Sequence, residues 1–144
     1  MTIMQIKDFL NKYDRFAASS GVQIIEMGDG WAKAVMTVEE GHLNGAEVCQ
    51  GGAIFTLADL AFAAAVNSSG MMTVGTSSNI SFIRSARKGD TLTAVATEEP
   101  HHRMPFCEVR VTNQHGDLIC VMTGSAYRRN IPLFADDNNQ TVEG

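Results

Sequence analysis

Apolar residues recur at Ile3, Ile6, Phe9, Leu10, Tyr13 and Phe16, three and four positions apart, with polar residues between them. That spacing predicts one amphipathic helix over residues 3–18, closed by Ser19-Ser20-Gly21. The next stretch, VQIIEMGDGWAKAVMTV, alternates apolar and polar positions around Gly28-Asp29-Gly30, as two strands joined by a turn do. EEGHLNGAEVCQGG, from Glu39 to Gly52, holds four glycines and no period, and reads as a loop. From Ala53 to Val66 every side chain is apolar except Thr56 and Asp59. This run is rich in alanine, poor in β-branched residues and closed by Asn67-Ser68-Ser69-Gly70, which favours a buried helix over a strand. Four strands follow in MTVGTSSNISFIR, TLTAVATEE, RMPFCEVRVTN and LICVMTGSAYR. The turns between them are Arg87-Lys88-Gly89-Asp90, Glu99-Pro100-His101-His102 and Gln114-His115-Gly116-Asp117. Residues 1–130 read as one domain, and 131–144 as a flexible, polar tail.

Helix, two strands, buried helix and four strands make an α+β layer packing, with the apolar helix on one face of a sheet of about six strands. One helix covers only part of such a sheet, so its remaining face and its edges favour association between copies. The composition agrees with a single core, since 44% of the 144 residues are hydrophobic and 19% charged. A net charge of −5 argues against a general nucleic-acid surface. The three cysteines, Cys49, Cys107 and Cys120, are odd in number and lack CxxC spacing, so neither a disulfide framework nor a zinc site is expected. His101 and His102 are neighbours that face opposite ways on an extended strand, and no metal site follows from them. The opening MTIMQIKDFLNKYDRF lacks the apolar stretch of a secretory signal, and the run over 53–66 is too short for a bilayer. The expectation is a cytoplasmic protein with neither membrane nor nucleic acid as partner.

Asp59 is the odd residue of the central helix, because a carboxylate is costly to bury among apolar side chains. The segment around it, HLNGAEVCQGGAIFTLADLAFAAAVNSSG, resembles the signature of the PaaI-type hotdog-fold acyl-CoA thioesterases. That signature runs His-x-Asn, a glycine-bearing loop, His-Gly-Gly, and a helix containing Leu-Ala-Asp and ending near Asn-Ser. Downstream, SSNISFIRSARKGDTLTAVATE is similar to the family's strand, Arg-rich turn, Gly-Asp and next strand, so the likeness spans residues 20–128. It implies a hotdog fold, an antiparallel sheet wrapped around one long central helix, here with an added N-terminal helix. It implies a homodimer with sites at its interface, and a homotetramer built as a dimer of dimers. The implied reaction is hydrolysis of an acyl-CoA, aryl-acyl or medium-chain, to free acid and coenzyme A, which is part of the substrate; no separate cofactor or metal is called for. A hotdog enoyl-CoA hydratase or dehydratase, and a non-catalytic acyl-CoA-binding module, are the alternatives. The chain departs from the pattern at Gln50, where the family has histidine. An amide donates a hydrogen bond but cannot shuttle a proton, so a positioning role survives there and the hydratase reading is weakened.

Gly51 and Gly52 enter the helix, where free N–H groups and the positive end of the helix dipole can polarise a carbonyl. Asp59 is the candidate general base or nucleophile, with a raised pKa. It lies seven or eight residues beyond the glycines, roughly 10–12 Å along a helix axis. One helix therefore can hardly bring both to a single thioester, whereas two antiparallel copies across a dimer can. By the resemblance, Asn44 and Gln50 orient the carbonyl or hold the loop, and one hydroxyl among Thr76, Ser77 and Ser78 helps hold the water. Asn67, at the helix end, is placed with the substrate-binding residues, and His42 is read as packing the loop. Arg84, Arg87 and Lys88 cluster in an otherwise acidic chain and suit the phosphates of coenzyme A; Arg103 with His101-His102 is a weaker second cluster. Phe55, Phe62, Ala63 and Phe82 are candidates for the acyl pocket, with core packing the competing reading of each.

Overall fold

The computed structural model describes residues 1–99 and 103–135. Its helices are α1 (Ile3–Tyr13), α2 (Arg15–Ser19) and α3 (Gly51–Val66), with a short 3₁₀ turn at Glu40–His42. The strands are β1 (Gln23–Gly28), β2 (Trp31–Thr37), β3 (Met71–Phe82), β4 (Thr91–Glu99), β5 (Phe106–Thr112) and β6 (Leu118–Pro132). They form one antiparallel sheet in the order β1-β2-β4-β5-β6-β3, wrapped around α3 in the hotdog arrangement.

Alternation along the strands turns Ala32, Ala34, Met36, Leu92, Ala94 and Ala96 inward, all fully buried. Small side chains on this floor meet Ala58, Ala61, Ala64 and Ala65 of α3, also buried, so helix and sheet backbones approach closely. Where the helix carries the bulky Phe62, the sheet supplies glycine. A Cβ on Gly124 would lie 3.0 Å from the Phe62 ring, and one on Gly75 3.5 Å away. Phe62 is thus a core residue rather than a pocket wall. Cys49, Cys107 and Cys120 are all buried and unbridged.

The C-terminal end of α3 is tied down by polar groups. Asn67 is buried; its Nδ2 donates to Ala63 O (2.8 Å) and Thr73 O (3.0 Å), and its Oδ1 accepts from Thr73 N (2.8 Å). With both ends of its amide engaged in joining α3 to β3, Asn67 is a structural clamp, which corrects its placement among the substrate-binding residues. Beside it Arg128 reaches inward from β6, donating to Val66 O (3.1 Å), Thr73 Oγ1 (3.2 Å) and Glu98 Oε1 (2.7 Å). The Arg128 and Glu98 side chains are only 16% and 10% exposed.

Three sequence expectations change. The N-terminal helix is two, because Asp14 leaves the helical conformation (ψ 82°) and caps α2 by accepting from Ala17 N (3.2 Å). The tail does not begin at residue 131. β6 continues to Pro132, Leu133 N donates to Gly70 O (2.7 Å), and Phe134 stacks on Phe9 of α1 with centroids 4.6 Å apart, because both apolar side chains pack back against the core. The strand expected from Arg103 starts at Phe106, after Pro105, which lacks the N–H a ladder needs. The expected turn at residues 99–102 and the rest of the tail fall largely on residues 100–102 and 136–144, outside the described residues.

The two edges of the sheet differ. Along β1, Asn11 of α1 donates to Ile24 O (2.9 Å) and accepts from Ile24 N (2.8 Å), covering the edge next to its bulge as a strand neighbour would. No strand among the described residues pairs with the outer side of β3. No described helix is long and apolar enough to cross a membrane.

Removing one partner of a buried ion pair leaves the other uncompensated, at a cost of about 3 kcal/mol. Arg128→Ala should therefore lower the urea midpoint markedly, and an unchanged midpoint would show that the clamp at the α3 C-terminus is dispensable.

Candidate active site

Burial sorts the residues of α3 by face. Ile54, Leu57, Ala58, Leu60 and Ala61 are buried, whereas Gly52 and Asp59 are exposed with Thr56 partly covered between them. Positions 52, 56 and 59 are three and four apart, so they form one stripe that the sheet leaves open. Asp59 is not buried in its own chain, contrary to the sequence expectation; it occupies the one face of an apolar helix that does not meet the sheet. No hydrogen bond or ion pair engages its carboxylate among the described residues. Packed surroundings still desolvate it and raise its pKa, and the negative charge of Asp14 raises it further.

At the N-terminal end of the stripe Gln50 is the N-cap, with extended backbone and no side-chain capping bond. The N–H groups of Gly51 and Gly52 find no acceptor among the described residues; the helical ladder starts with Ala53 and Ile54 donating to Gln50 O. Neither glycine leaves room for a side chain unless Gln50 or Phe82 swings aside. A Cβ on Gly52 would sit 2.6 Å from Gln50 Oε1, and one on Gly51 2.9 Å from the Phe82 ring. Gln50 and Phe82 therefore close on the helix end from two sides.

The preceding loop is held by its own side chains. Asn44 Oδ1 accepts from Ala46 N (2.9 Å) and Val48 N (3.3 Å), so its carbonyl end holds the loop rather than reaching outward. His42 accepts from Glu39 N at Nδ1 (3.0 Å) and donates from Nε2 to Ser20 O (2.7 Å), an arrangement that suits a packing histidine. Its carbonyl accepts from Gln50 N (2.8 Å), and Cys49 N donates to Ala86 O (2.8 Å), which draws the basic turn alongside the loop. In that turn Arg87 N donates to Asp90 Oδ2 (2.8 Å), Lys88 pairs loosely with Glu40 at 3.7 Å, and Arg84 donates to Leu118 O (3.1 Å).

The hydroxyl group comes from β3. Thr76 is the extra residue of a bulge between Gly75 and Ser77, and its Oγ1 lies 3.1 Å from Ser125 O and 3.2 Å from Ser125 Oγ. β3 runs antiparallel to α3, since Phe82 meets Gly51 and Gly75 meets Phe62. Thr76 and Ser77 therefore fall at the level of the helical turn carrying Asp59. Ser78 Oγ instead lies toward Gly124. Within one chain the predicted residues thus form two groups: Asn44, Gln50, Gly51, Gly52, Phe82 and Arg84 at the helix start, and Asp59 with Thr76 and Ser77 near its middle. Phe55 and Ala63 are only partly buried on α3. Arg103 lies outside both groups, its carbonyl accepting from Arg128 N. Among the described residues no three metal-binding side chains gather.

Comparison with known proteins gives this geometry a family. Residues 41–120 match the model of the thioesterase superfamily. The chain is 37% identical over 116 residues to the acyl-coenzyme A thioesterase PaaI of Escherichia coli K12, covering 80% of this chain and 83% of that one. The structure of the E. coli PaaI protein from the phenylacetic acid degradation operon superposes with a TM-score of 0.87 at 34% identity, over 90% of this chain and 95% of that one. A thioesterase-like protein of Streptococcus pneumoniae solved with coenzyme A has a TM-score of 0.78 at 26% identity, over 85% of this chain and 98% of that one. The chain belongs to the thioesterase superfamily, among its PaaI-type hotdog members.

A carboxyl whose pKa is higher folded than unfolded binds its proton more tightly in the folded state. Its contribution is favourable at low pH and is lost as the pH rises through that raised pKa. Asp59→Asn removes the ionised group, so at pH 7 the variant should melt at or above the wild-type temperature, with the gap narrowing in acid. A clearly lower melting temperature at pH 7 would contradict the desolvation argument.

Proposed function

We propose that this chain hydrolyses acyl-CoA thioesters at a site shared between two antiparallel copies of α3. The observation that carries the reading is the open stripe itself, with unsatisfied Gly51 and Gly52 N–H groups at one end and an unpartnered Asp59 eight residues on. That is about 12 Å of helix, too far for one chain to serve one carbonyl. An antiparallel partner exchanges the two ends, so each site takes its glycine turn from one copy and its acid from the other. The uncovered edge of β3 supports the homodimer, and the exposed outer sheet face, with Val95 and Phe106, supports a further pairing of dimers. A cytoplasmic setting accords with three buried, unbridged cysteines.

In this scheme the glycine N–H groups hold the thioester oxygen, and Gln50 and the Asn44-held loop keep that helix end in place. Ionised Asp59 takes a proton from water as the oxygen attacks the carbonyl carbon, with Thr76 or Ser77 steadying the water. Collapse of the tetrahedral intermediate breaks the C–S bond, and the proton passes from Asp59 to the departing thiolate. Direct attack by Asp59 would give a mixed anhydride that water then cleaves; labelled solvent oxygen found in Asp59 after a single turnover identifies an anhydride opened at the Asp59 carbonyl, which the general-base route does not give. Arg84, Arg87 and Lys88 supply charge for the coenzyme A phosphates. The coenzyme A bound by the S. pneumoniae neighbour and the name of the E. coli relative support this substrate class. An aryl-acyl or medium-chain acyl group is the corresponding proposal for the other arm.

A panel of acyl-CoAs assayed for free thiol tests the reading, with Asp59→Asn expected to lower kcat about a thousandfold. Hydration of an enoyl-CoA without thiol release would replace the hydrolase by a hydratase. The pH profile should show a limb that rises as Asp59 ionises, above the ordinary carboxylate range, and no second limb from position 50, because an amide does not titrate.

A further inference from the structure

The break at Asp14 has an effect on the residue two positions later. Had α1 run straight, Phe16 would follow Tyr13 by three positions on the stripe that buries Ile6 and Leu10. Asp14 N instead closes α1 by donating to Leu10 O (3.0 Å), and α2 starts in a new direction with Ala17 as its buried residue. Phe16 is left 70% exposed. It forms one wall of an open hollow of about 530 Å³, lined also by Leu43, Asn44, Gln50, Gly52, Ala53 and Thr56. That volume is within the range of small-molecule sites.

A second hollow, of about 280 Å³, lies beside Gly51 and is lined by Phe82 and Arg84. The two free N–H groups of Gly51 and Gly52 therefore sit between a hollow in which Phe16, Leu43 and Ala53 are the apolar side chains among polar ones and a hollow that leads toward the basic turn. A planar thioester held by its oxygen on those groups sends its acyl and thiol arms in different directions. The arm that ends in phosphates suits the Arg84 side, which leaves the acyl arm to the other.

We propose that Phe16, exposed by the α1–α2 break, is the acyl-side wall of the active site and selects acyl groups by bulk and aromaticity. The assignment rests on the thioesterase reading above. The ring offers apolar area and a stacking face to an aryl or medium-chain acyl group, and almost nothing to an acetyl group.

The test compares wild type, Phe16→Ala and Phe16→Leu on acetyl-, hexanoyl- and phenylacetyl-CoA, with sedimentation to record the oligomeric state. Phe16→Ala should lower kcat/KM for phenylacetyl-CoA about tenfold relative to acetyl-CoA, with inhibition by free coenzyme A unchanged. Phe16→Leu should recover hexanoyl-CoA more than phenylacetyl-CoA. An equal fall on all three substrates, or a changed oligomeric state without a change in selectivity, would overturn the assignment. If wild type releases thiol from none of them, the thioesterase reading has failed separately. Calorimetric binding of the same three thioesters to wild type and Phe16→Ala then decides: a loss confined to the larger acyl groups supports the acyl wall, and equal affinities refute it.

Discussion

The packing of α3 against a floor of small side chains is the constraint on which the rest of this structure depends. An alanine-rich helix has little apolar area per residue, so it is held only where the sheet comes close along its length. That explains alanine at the inward positions of β2 and β4, and glycine opposite the one bulky ring, Phe62. It also explains why the C-terminal end of the helix is tied by polar groups. Asn67 and the Glu98–Arg128 pair absorb carbonyls and strand ends at the C-terminus, where apolar contact stops. Nothing comparable closes the N-terminus, whose first two N–H groups stay available.

The proposed chemistry grows from what this packing leaves out. A sheet curved around a helix cannot cover its whole circumference, and the residues on the uncovered line are Gly52, Thr56 and Asp59. A rigid helix holds the carbonyl-polarising end and the carboxylate apart at a fixed separation. In the proposed reading their separation calls for a second copy, and the edge of β3, unpaired among the described residues, offers a backbone ladder on which that copy can align. The loop before the helix is preset by Asn44 and His42 rather than by bound substrate, so little ordering would remain to be done on binding.

Asp59 and Gln50 divide the electrostatic work unequally. Desolvation and Asp14 make Asp59 a better proton acceptor at the cost of some stability, a trade common at reactive carboxylates. Gln50 contributes an amide next to the glycine turn and brings no titrating group to it. In the proposed mechanism proton transfer therefore falls to one side of the carbonyl and positioning to the other.

Much of this was legible in the residues. Alanine content and length identified the central helix, and alternation identified the strands. Local periodicity carries that information, because burying one face of a helix or strand imposes its repeat on the sequence. The residues themselves did not show that Asn67 turns inward as a clamp, that Glu98 and Arg128 meet, or that Leu133 and Phe134 return to the core, Phe134 on Phe9 of α1. Each depends on a partner thirty or more positions away, or on a strand's direction, and no local repeat records it. Phe16 shows the limit most directly. Its spacing placed it in the core, and a single non-helical residue, Asp14, moved it to the rim of the candidate site. Sequence alone determined which segments must be buried and which atoms could do chemistry; only the tertiary structure decided which face stayed open, because that depends on how far one sheet can curve around one helix.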